Sequence, residues 1–184
     1  MSDTIDNKIF NFAYYMAFRD ATMRNAYPRF DGEDDDHYHK RKQRVAEESK
    51  DAVQKYIEAI FDNKQPDPRT VICGICDESY GFTFGNAQKL VNMTAKYMFI
   101  ASYQDDQKRE LFASCDCPMD SVMLGVVKER CPEASWKADF SWSRMTSDAG
   151  RIPIVYTEFQ EWVKSIANDE GVMPLEVDYL FWDE

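Results

Sequence analysis

The sequence predicts a predominantly α-helical fold, with about six helices in one compact domain. Its 184 residues are most simply one domain. The 44% hydrophobic and 14% aromatic content is sufficient for an apolar core, and apolar residues recur at helical spacing in several long segments. We divide the chain into an N-terminal helical pair (1–64), a helical core with the candidate catalytic residues (70–167) and an acidic C-terminal tail (168–184).

The N-terminal pair consists of two segments, each with an apolar stripe. The first segment runs to a break at Pro28, and the second ends before Pro66 and Pro68. The stripes are Phe10, Ala13, Tyr14, Ala17 and Phe18 in the first segment, and Val45, Ala52, Val53, Tyr56, Ile57 and Ile60 in the second. Spacing of three or four residues places each stripe on one side of its helix.

The core begins with a segment, 71–85, whose secondary structure is ambiguous: its β-branched start favours a short strand, and its glycines interrupt one. Gly85 then opens a helix with Leu90, Met93, Thr94, Tyr97 and Met98 on its apolar side. Asp120 and Ser121 can cap the next helix, which ends at Cys131. The last clear helix spans 154–168, and 171–184 is expected to be a short extended or helical segment.

Charge and cysteine content limit the expected setting of the protein. No apolar run reaches the roughly 20 residues that span a bilayer, and the N-terminal sequence MSDTIDNKIF lacks the pattern of a secretion signal. Five cysteines, an odd number, favour free thiols in a reducing cytosol. We therefore expect a cytoplasmic protein without a membrane partner. Its net charge of −11 disfavours nucleic acid as a partner, although six of the acids lie in residues 165–184.

Two short motifs, GNAQK at 85–89 and PMD at 118–120, carry the candidate chemistry. Lys89 lies in the first turns of an apolar helix, and apolar surroundings favour the uncharged, nucleophilic form of an amine. Asp120 lies at the start of the following helix. An amine and a carboxylate at neighbouring helix ends can attack a sugar carbon and stabilise the positive charge that develops there. The N–H groups at the helix start can also bind a phosphate.

These motifs resemble those of the helix-hairpin-helix DNA glycosylases, in particular the 8-oxoguanine branch. In that family a Gly-x-Gly-x-Lys hairpin leads into an apolar helix, and a later Pro-x-Asp supplies the catalytic carboxylate. Here Ala87 replaces the second glycine, and Val122 stands where a histidine often follows. The resemblance implies a Schiff-base nucleophile, Lys89, and an activating acid, Asp120, in an enzyme that excises damaged or modified bases from DNA. It implies no cofactor, and defence against phages with modified DNA is a natural setting.

Excision of a flipped base requires side chains that hold the base and fill the gap left in the duplex. Gln88 and Asn92 can bind a base edge, and residues 142–144 can form a loop beside a phosphate. The candidates for substrate binding are Phe84, Gly85, Gln88, Asn92, Trp142 and Arg144, and the further aromatic candidates are Phe82, Trp136 and Phe140. Aromatic side chains belong to the core more often than to a base-binding surface.

Other interpretations remain open. Lys89 can be a surface lysine and Asp120 only a helix cap. A compact acidic protein can also imitate nucleic acid and bind a basic protein partner, which predicts clustered exposed carboxylates and no pocket at Lys89. Third, the pairs Cys73/Cys76 and Cys115/Cys117 can bind zinc in a metal-stabilised regulator, although free thiols are the simpler expectation and no other metal site is predicted.

Overall fold

The computed structural model describes residues 3–23, 26–136, 140–147 and 150–181. Within these ranges the chain forms eight α-helices and no β-strand, which confirms the predicted α-helical class. The helices are α1 (Asp3–Ala21), α2 (Asp35–Phe61), α3 (Pro68–Ile75), α4 (Phe84–Ala101), α5 (Asp106–Glu110), α6 (Ser121–Arg130), α7 (Ile154–Glu170) and α8 (Val177–Leu180). Short 3₁₀ segments cover Glu78–Tyr80, Trp142–Arg144 and Pro174–Glu176. None of the described helices is long and apolar enough to cross a bilayer.

The helix count exceeds the predicted six because α3 and α5 were not expected. Helix α3 replaces the short strand that the β-branched residues favoured. Asp67 caps it by accepting a hydrogen bond from Arg69 N at 3.0 Å, and Pro68 occupies the first helical position. Helix α5 is short and charged, so it has no apolar stripe to predict it, and Asp105 caps it through Lys108 N.

Helix α4 is the centre of the fold. Fifteen of its 18 residues are buried, because α1 and α3 pack along it and the 3₁₀ segment Trp142–Arg144 crosses its first turn. A helix enclosed on this many sides also buries the polar side chains that its sequence carries. The aromatic core beside it includes Phe84 and Tyr156, whose rings meet edge-to-face at 5.2 Å.

A buried arginine fixes the loop between α1 and α2. Arg41 donates hydrogen bonds to both carboxylate oxygens of Glu33 at 2.7 Å, and to the carbonyl oxygens of Pro28 and Tyr80. Its guanidinium also lies 4.0 Å from the ring centroid of Phe30. Hydrogen bonds from Arg41 lower the pKa of Glu33 to about 2. The loop from Pro28 to Glu33 is therefore held at both of its ends.

The C-terminal segment, predicted to be an acidic tail, packs onto the core as far as it is described. Leu175 and Val177 are buried, and Asp178 forms a buried ion pair with Lys96 of α4. Asp183 and Glu184 belong to the predicted tail and lie outside the described residues. Part of the C-terminal acidity is therefore neutralised inside the protein.

Candidate active site

Helix α4 begins at a close contact with the 3₁₀ segment after residue 141. Thr83 caps the helix, and its side-chain oxygen accepts a hydrogen bond from Asn86 N at 3.1 Å. A Cβ on Gly85 would lie 1.8 Å from the carbonyl oxygen of Trp142, so only glycine allows this approach. The Gly85 position therefore sets the distance between the start of α4 and Trp142.

The start of α4 is not available to a phosphate, although the sequence suggested one. Gly85 N donates to the carbonyl oxygen of Met145 at 2.9 Å, and Ala87 N donates to that of Thr83 at 3.0 Å. Together with the capped Asn86 N, three N–H groups of the first turn are bonded within the protein. Gly85 is thus a packing residue and lines neither wall of the cavity described below.

Lys89 and Asp120 form an ion pair. Lys89 Nζ donates to Asp120 Oδ2, and Asp120 Oδ1 accepts from Val122 N and Met123 N at 3.0 Å each. Asp120 therefore caps α6 and forms an ion pair with Lys89 at the same time. The exposed fractions of the side chains are 9% for Lys89 and 20% for Asp120, so Lys89 is not a surface lysine. Its ammonium lies 5.5 Å from the ring centroid of Trp142.

Gln88 fixes the backbone next to this pair. Its Oε1 accepts a hydrogen bond from Met119 N at 3.0 Å, and its Nε2 donates to Met119 O at 2.8 Å. The Gln88 side chain is fully buried. It cannot read a base edge as the sequence suggested, because both ends of its amide bind the protein. Gln88 therefore holds the backbone of Met119, the residue before Asp120, against helix α4.

The ion pair borders a space that we call the Lys89 cavity. Its volume of about 590 Å³ is within the range of small-molecule sites. Its described charged lining is balanced, with three acids and three bases. These residues are Asp20, Lys89, Lys96, Asp120, Arg144 and Asp178. The glycosylase hypothesis predicts a cleft with a basic rim at Lys89 and Asp120, and the described rim of this cavity is not basic overall.

A second lysine–aspartate pair lines the same cavity and was missed in the sequence. Lys96 lies on α4 on the same side as Lys89, because seven residues are close to two helical turns. It pairs with Asp178, and its ammonium lies 4.6 Å from the ring centroid of Tyr179. The spacing from Lys89 was a usable signal for Lys96. Asp178 had no local signal, because its partner is distant in the sequence.

Asn92 belongs to a buried polar network behind the cavity. Its Nδ2 donates to Tyr156 Oη at 2.9 Å, and Tyr156 Oη donates to Asp116 Oδ2 at 3.0 Å. Arg69 Nε also donates to Asp116 at 3.5 Å. Burial raises the pKa of the Asp116 carboxyl and of the Tyr156 hydroxyl. Asn92 is buried within this network, so it supports α4 and does not face the cavity.

The structure separates the aromatic and arginine candidates into two groups. Phe82 and Phe84 are fully buried in the core and cannot contact a base. Trp136 lines a different depression beside α7, and Phe140 packs partly buried against the core.

Trp142 and Arg144 both line the Lys89 cavity. They are the predicted substrate-binding residues that reach it.

The cysteines do not form a zinc site in the part of the chain that the structure describes. No group of three or more His, Cys, Asp or Glu side chains is arranged there to hold a metal ion. Cys73 and Cys76 are partly exposed at the end of α3, whereas Cys115 and Cys117 are buried, and all four are free thiols. Burial raises the pKa of Cys115 to about 12, which favours its thiol form.

Comparison with known proteins gives no further identification. No protein-family model matches the chain, and neither a curated protein nor a solved structure matches it. Function is therefore inferred from the geometry of the Lys89 cavity and from the motif resemblance.

Proposed function

We propose that the protein is a DNA glycosylase that excises a damaged or modified base. The observation that carries this proposal is the contact of the Lys89 ammonium with the Asp120 carboxylate at the wall of a cavity. An amine and a carboxylate that meet beside a cavity of about 590 Å³ are placed to act on the same atom of a bound nucleotide.

The chemistry requires the bond from the sugar C1′ to the base to break. Positive charge then develops on the sugar, and the carboxylate of Asp120 stabilises it while it is still ionised, before it accepts a proton from Lys89. Transfer of a proton from Lys89 Nζ to Asp120 Oδ2 frees the lone pair of the amine, which forms a bond to C1′. The base leaves with the electrons of the broken bond and takes up the proton that Asp120 received from Lys89, which restores the Asp120 carboxylate. The products are a covalent lysine–sugar intermediate and the free base.

Two further residues suit this substrate. The Trp142 ring lies beside the Lys89 ammonium and offers a planar surface on which a flipped base can stack. Arg144 is exposed at the same cavity and can bind a backbone phosphate. We place this activity in the cytoplasm, where phage DNA with modified bases would be a substrate.

The main alternative is an acidic protein that imitates nucleic acid and binds a basic partner. A protein of that kind is predicted to have no cavity at Lys89, whereas a cavity is present there. Along α2, exposed acids alternate with bases, as in the pairs Asp36–Lys40, Glu48–Arg44 and Asp51–Lys55. Such alternation is unlike the continuous negative surface of a nucleic-acid mimic, so we favour the enzyme.

The test is a base-release assay on a panel of labelled duplexes. The duplexes carry 8-oxoguanine, uracil, hydroxymethylcytosine or glucosylated hydroxymethylcytosine, and alkali-labile abasic sites are scored after incubation. We expect release from at least one duplex by the wild-type protein and none by Asp120→Asn. Equal activity of wild type and Asp120→Asn would contradict the proposal. Inactivity on every duplex would favour the acidic binding protein.

A further inference from the structure

A second cavity adjoins the Lys89 cavity, and we call it the arginine cavity. Its volume is about 630 Å³. The two cavities share Ala26, Ser143 and Arg144 as lining residues. The remaining lining residues among those described are Tyr27, Pro28, Arg29, Tyr38 and Thr83. A bound molecule can therefore extend from one cavity into the other past Arg144.

The charge of the arginine cavity differs from that of the protein as a whole. Its described lining contains Arg29 and Arg144 and no acidic residue, in a chain with a net charge of −11. Among the described residues, no side chain pairs with Arg144. Arg29 pairs with Asp35 at 2.5 Å, but the Asp35 side chain is 80% exposed. A pair this exposed is weak, so another anion can replace Asp35 at little cost.

The loop that carries Arg29 is held in place before any ligand binds. Arg41 donates a hydrogen bond to the carbonyl oxygen of Pro28 at 2.9 Å, directly before Arg29. The Arg29 guanidinium lies 4.8 Å from the ring centroid of Tyr38. On the opposite wall, Thr83 donates to the carbonyl oxygen of Ser143, next to Arg144. Both arginines thus project from fixed backbone, which reduces the entropy lost when they bind.

We propose that the arginine cavity binds the nucleotide that flanks the one in the Lys89 cavity. Arg144, which lines both cavities, contacts the phosphate between the two nucleotides, and Arg29 contacts the next phosphate. Pro28 and Tyr38 supply the apolar surface for the flanking sugar and base. The inference rests on the proposed function for the identity of the ligand. It assigns the phosphate contacts of an acidic protein to two arginines, Arg29 and Arg144.

The test is a binding measurement on the full chain that needs no base excision. The probe is a short fluorescein-labelled duplex with a central tetrahydrofuran nucleotide, and affinity is measured by fluorescence anisotropy at several salt concentrations. Arg29→Gln and Arg144→Gln should each weaken binding by about tenfold. Each should also reduce the slope of log affinity against log salt by about 0.9, the value for one lost phosphate contact.

Arg109→Gln is the matched control, because Arg109 also pairs with an exposed aspartate, Asp106, and lines neither cavity. It should bind as the wild type does. The arginine cavity is ruled out if the wild type does not bind the probe, or if Arg29→Gln and Arg109→Gln have equal affinity. If the wild type binds the probe through Arg29 and Arg144 but releases no base from any duplex, the proposed function is contradicted and the arginine cavity still stands as a DNA-binding site.

Discussion

Gln88, the residue before Lys89, is hydrogen-bonded through both ends of its amide to Met119, the residue before Asp120. This double contact joins α4 to the segment that leads into α6. The positions of the amine and the carboxylate therefore depend on a third side chain that does not touch the cavity.

Replacement of Gln88 by methionine tests whether this double contact stabilises the protein. Met is close to Gln in volume but leaves the N–H and carbonyl groups of Met119 without partners. We expect the free energy of unfolding to fall by about 1–3 kcal/mol, as measured by urea denaturation. Gln43→Met on the exposed side of α2 removes a hydrogen bond to Glu47 and should change it by less than about 0.5 kcal/mol. Equal effects would show that the Gln88 contact does not stabilise the protein.

Gly85 provides a steric prediction. Gly85→Ala places a Cβ 1.8 Å from the carbonyl oxygen of Trp142, so the 3₁₀ segment must shift. We expect a loss of about 1–3 kcal/mol in the free energy of unfolding. Gly125→Ala in α6 is the control, because nothing lies within 4 Å of its Cβ position. It should stabilise the protein by about 0.5–1 kcal/mol, since glycine is unfavourable inside a helix. Thermal or urea unfolding measures both changes.

Asp120 has two roles that two substitutions can separate. Asn is also a good helix cap, so Asp120→Asn should retain the contacts to Val122 N and Met123 N while removing the charge. Asp120→Ala removes both and should be less stable than Asp120→Asn by about 0.5–2 kcal/mol in urea unfolding. Base release should be absent from both variants. Asp67→Ala, which removes the cap of α3, should lose stability and retain base release.

Glu33 provides a prediction of pH dependence. Hydrogen bonds from Arg41 lower its pKa from 4.5 to about 2 in the folded protein. A carboxyl with a lowered folded pKa stabilises the protein fully above its unfolded pKa, and this stabilisation is lost as the pH falls through the folded pKa. The difference in free energy of unfolding between wild type and Glu33→Gln should therefore shrink between pH 4.5 and pH 2. Parallel pH profiles for the two proteins would contradict the assigned interaction.

The sequence was sufficient to predict the long helices because α1, α2 and α7 each have one buried side. It was insufficient at α3, where the β-branched residues Val71 and Ile72 favoured a strand. The segment is helical because Asp67 caps its start and Pro68 occupies the first helical position. Lys89 and Asp120 were identified from their positions at the starts of two helices and from a motif resemblance, and their contact required the fold. A prediction from local sequence patterns assumes that the polar residues of a helix lie on its exposed side.

The buried polar residues of α4 show the physical limit of such prediction. The backbone of Met119 supplies partners for both ends of the Gln88 amide, and Asn92 Nδ2 donates to Tyr156 Oη and to the carbonyl oxygen of Cys117. Those partners are distant in the sequence, so no local pattern indicates them. Asp178 is similar, because its burial depends on Lys96 of another helix.

The most direct test of the central claim, that Lys89 is a nucleophile, is reductive trapping on a duplex with an abasic site. The abasic aldehyde accepts an amine whichever base the enzyme excises, and borohydride reduces the resulting Schiff base to a stable adduct. We expect a protein–DNA adduct that peptide mass spectrometry assigns to Lys89. It should be absent from Lys89→Gln and present in the double variant Lys96→Gln/Asp178→Asn, which removes the second amine of the cavity without leaving its buried partner charged. No wild-type adduct, or an adduct on Lys96, would contradict the account.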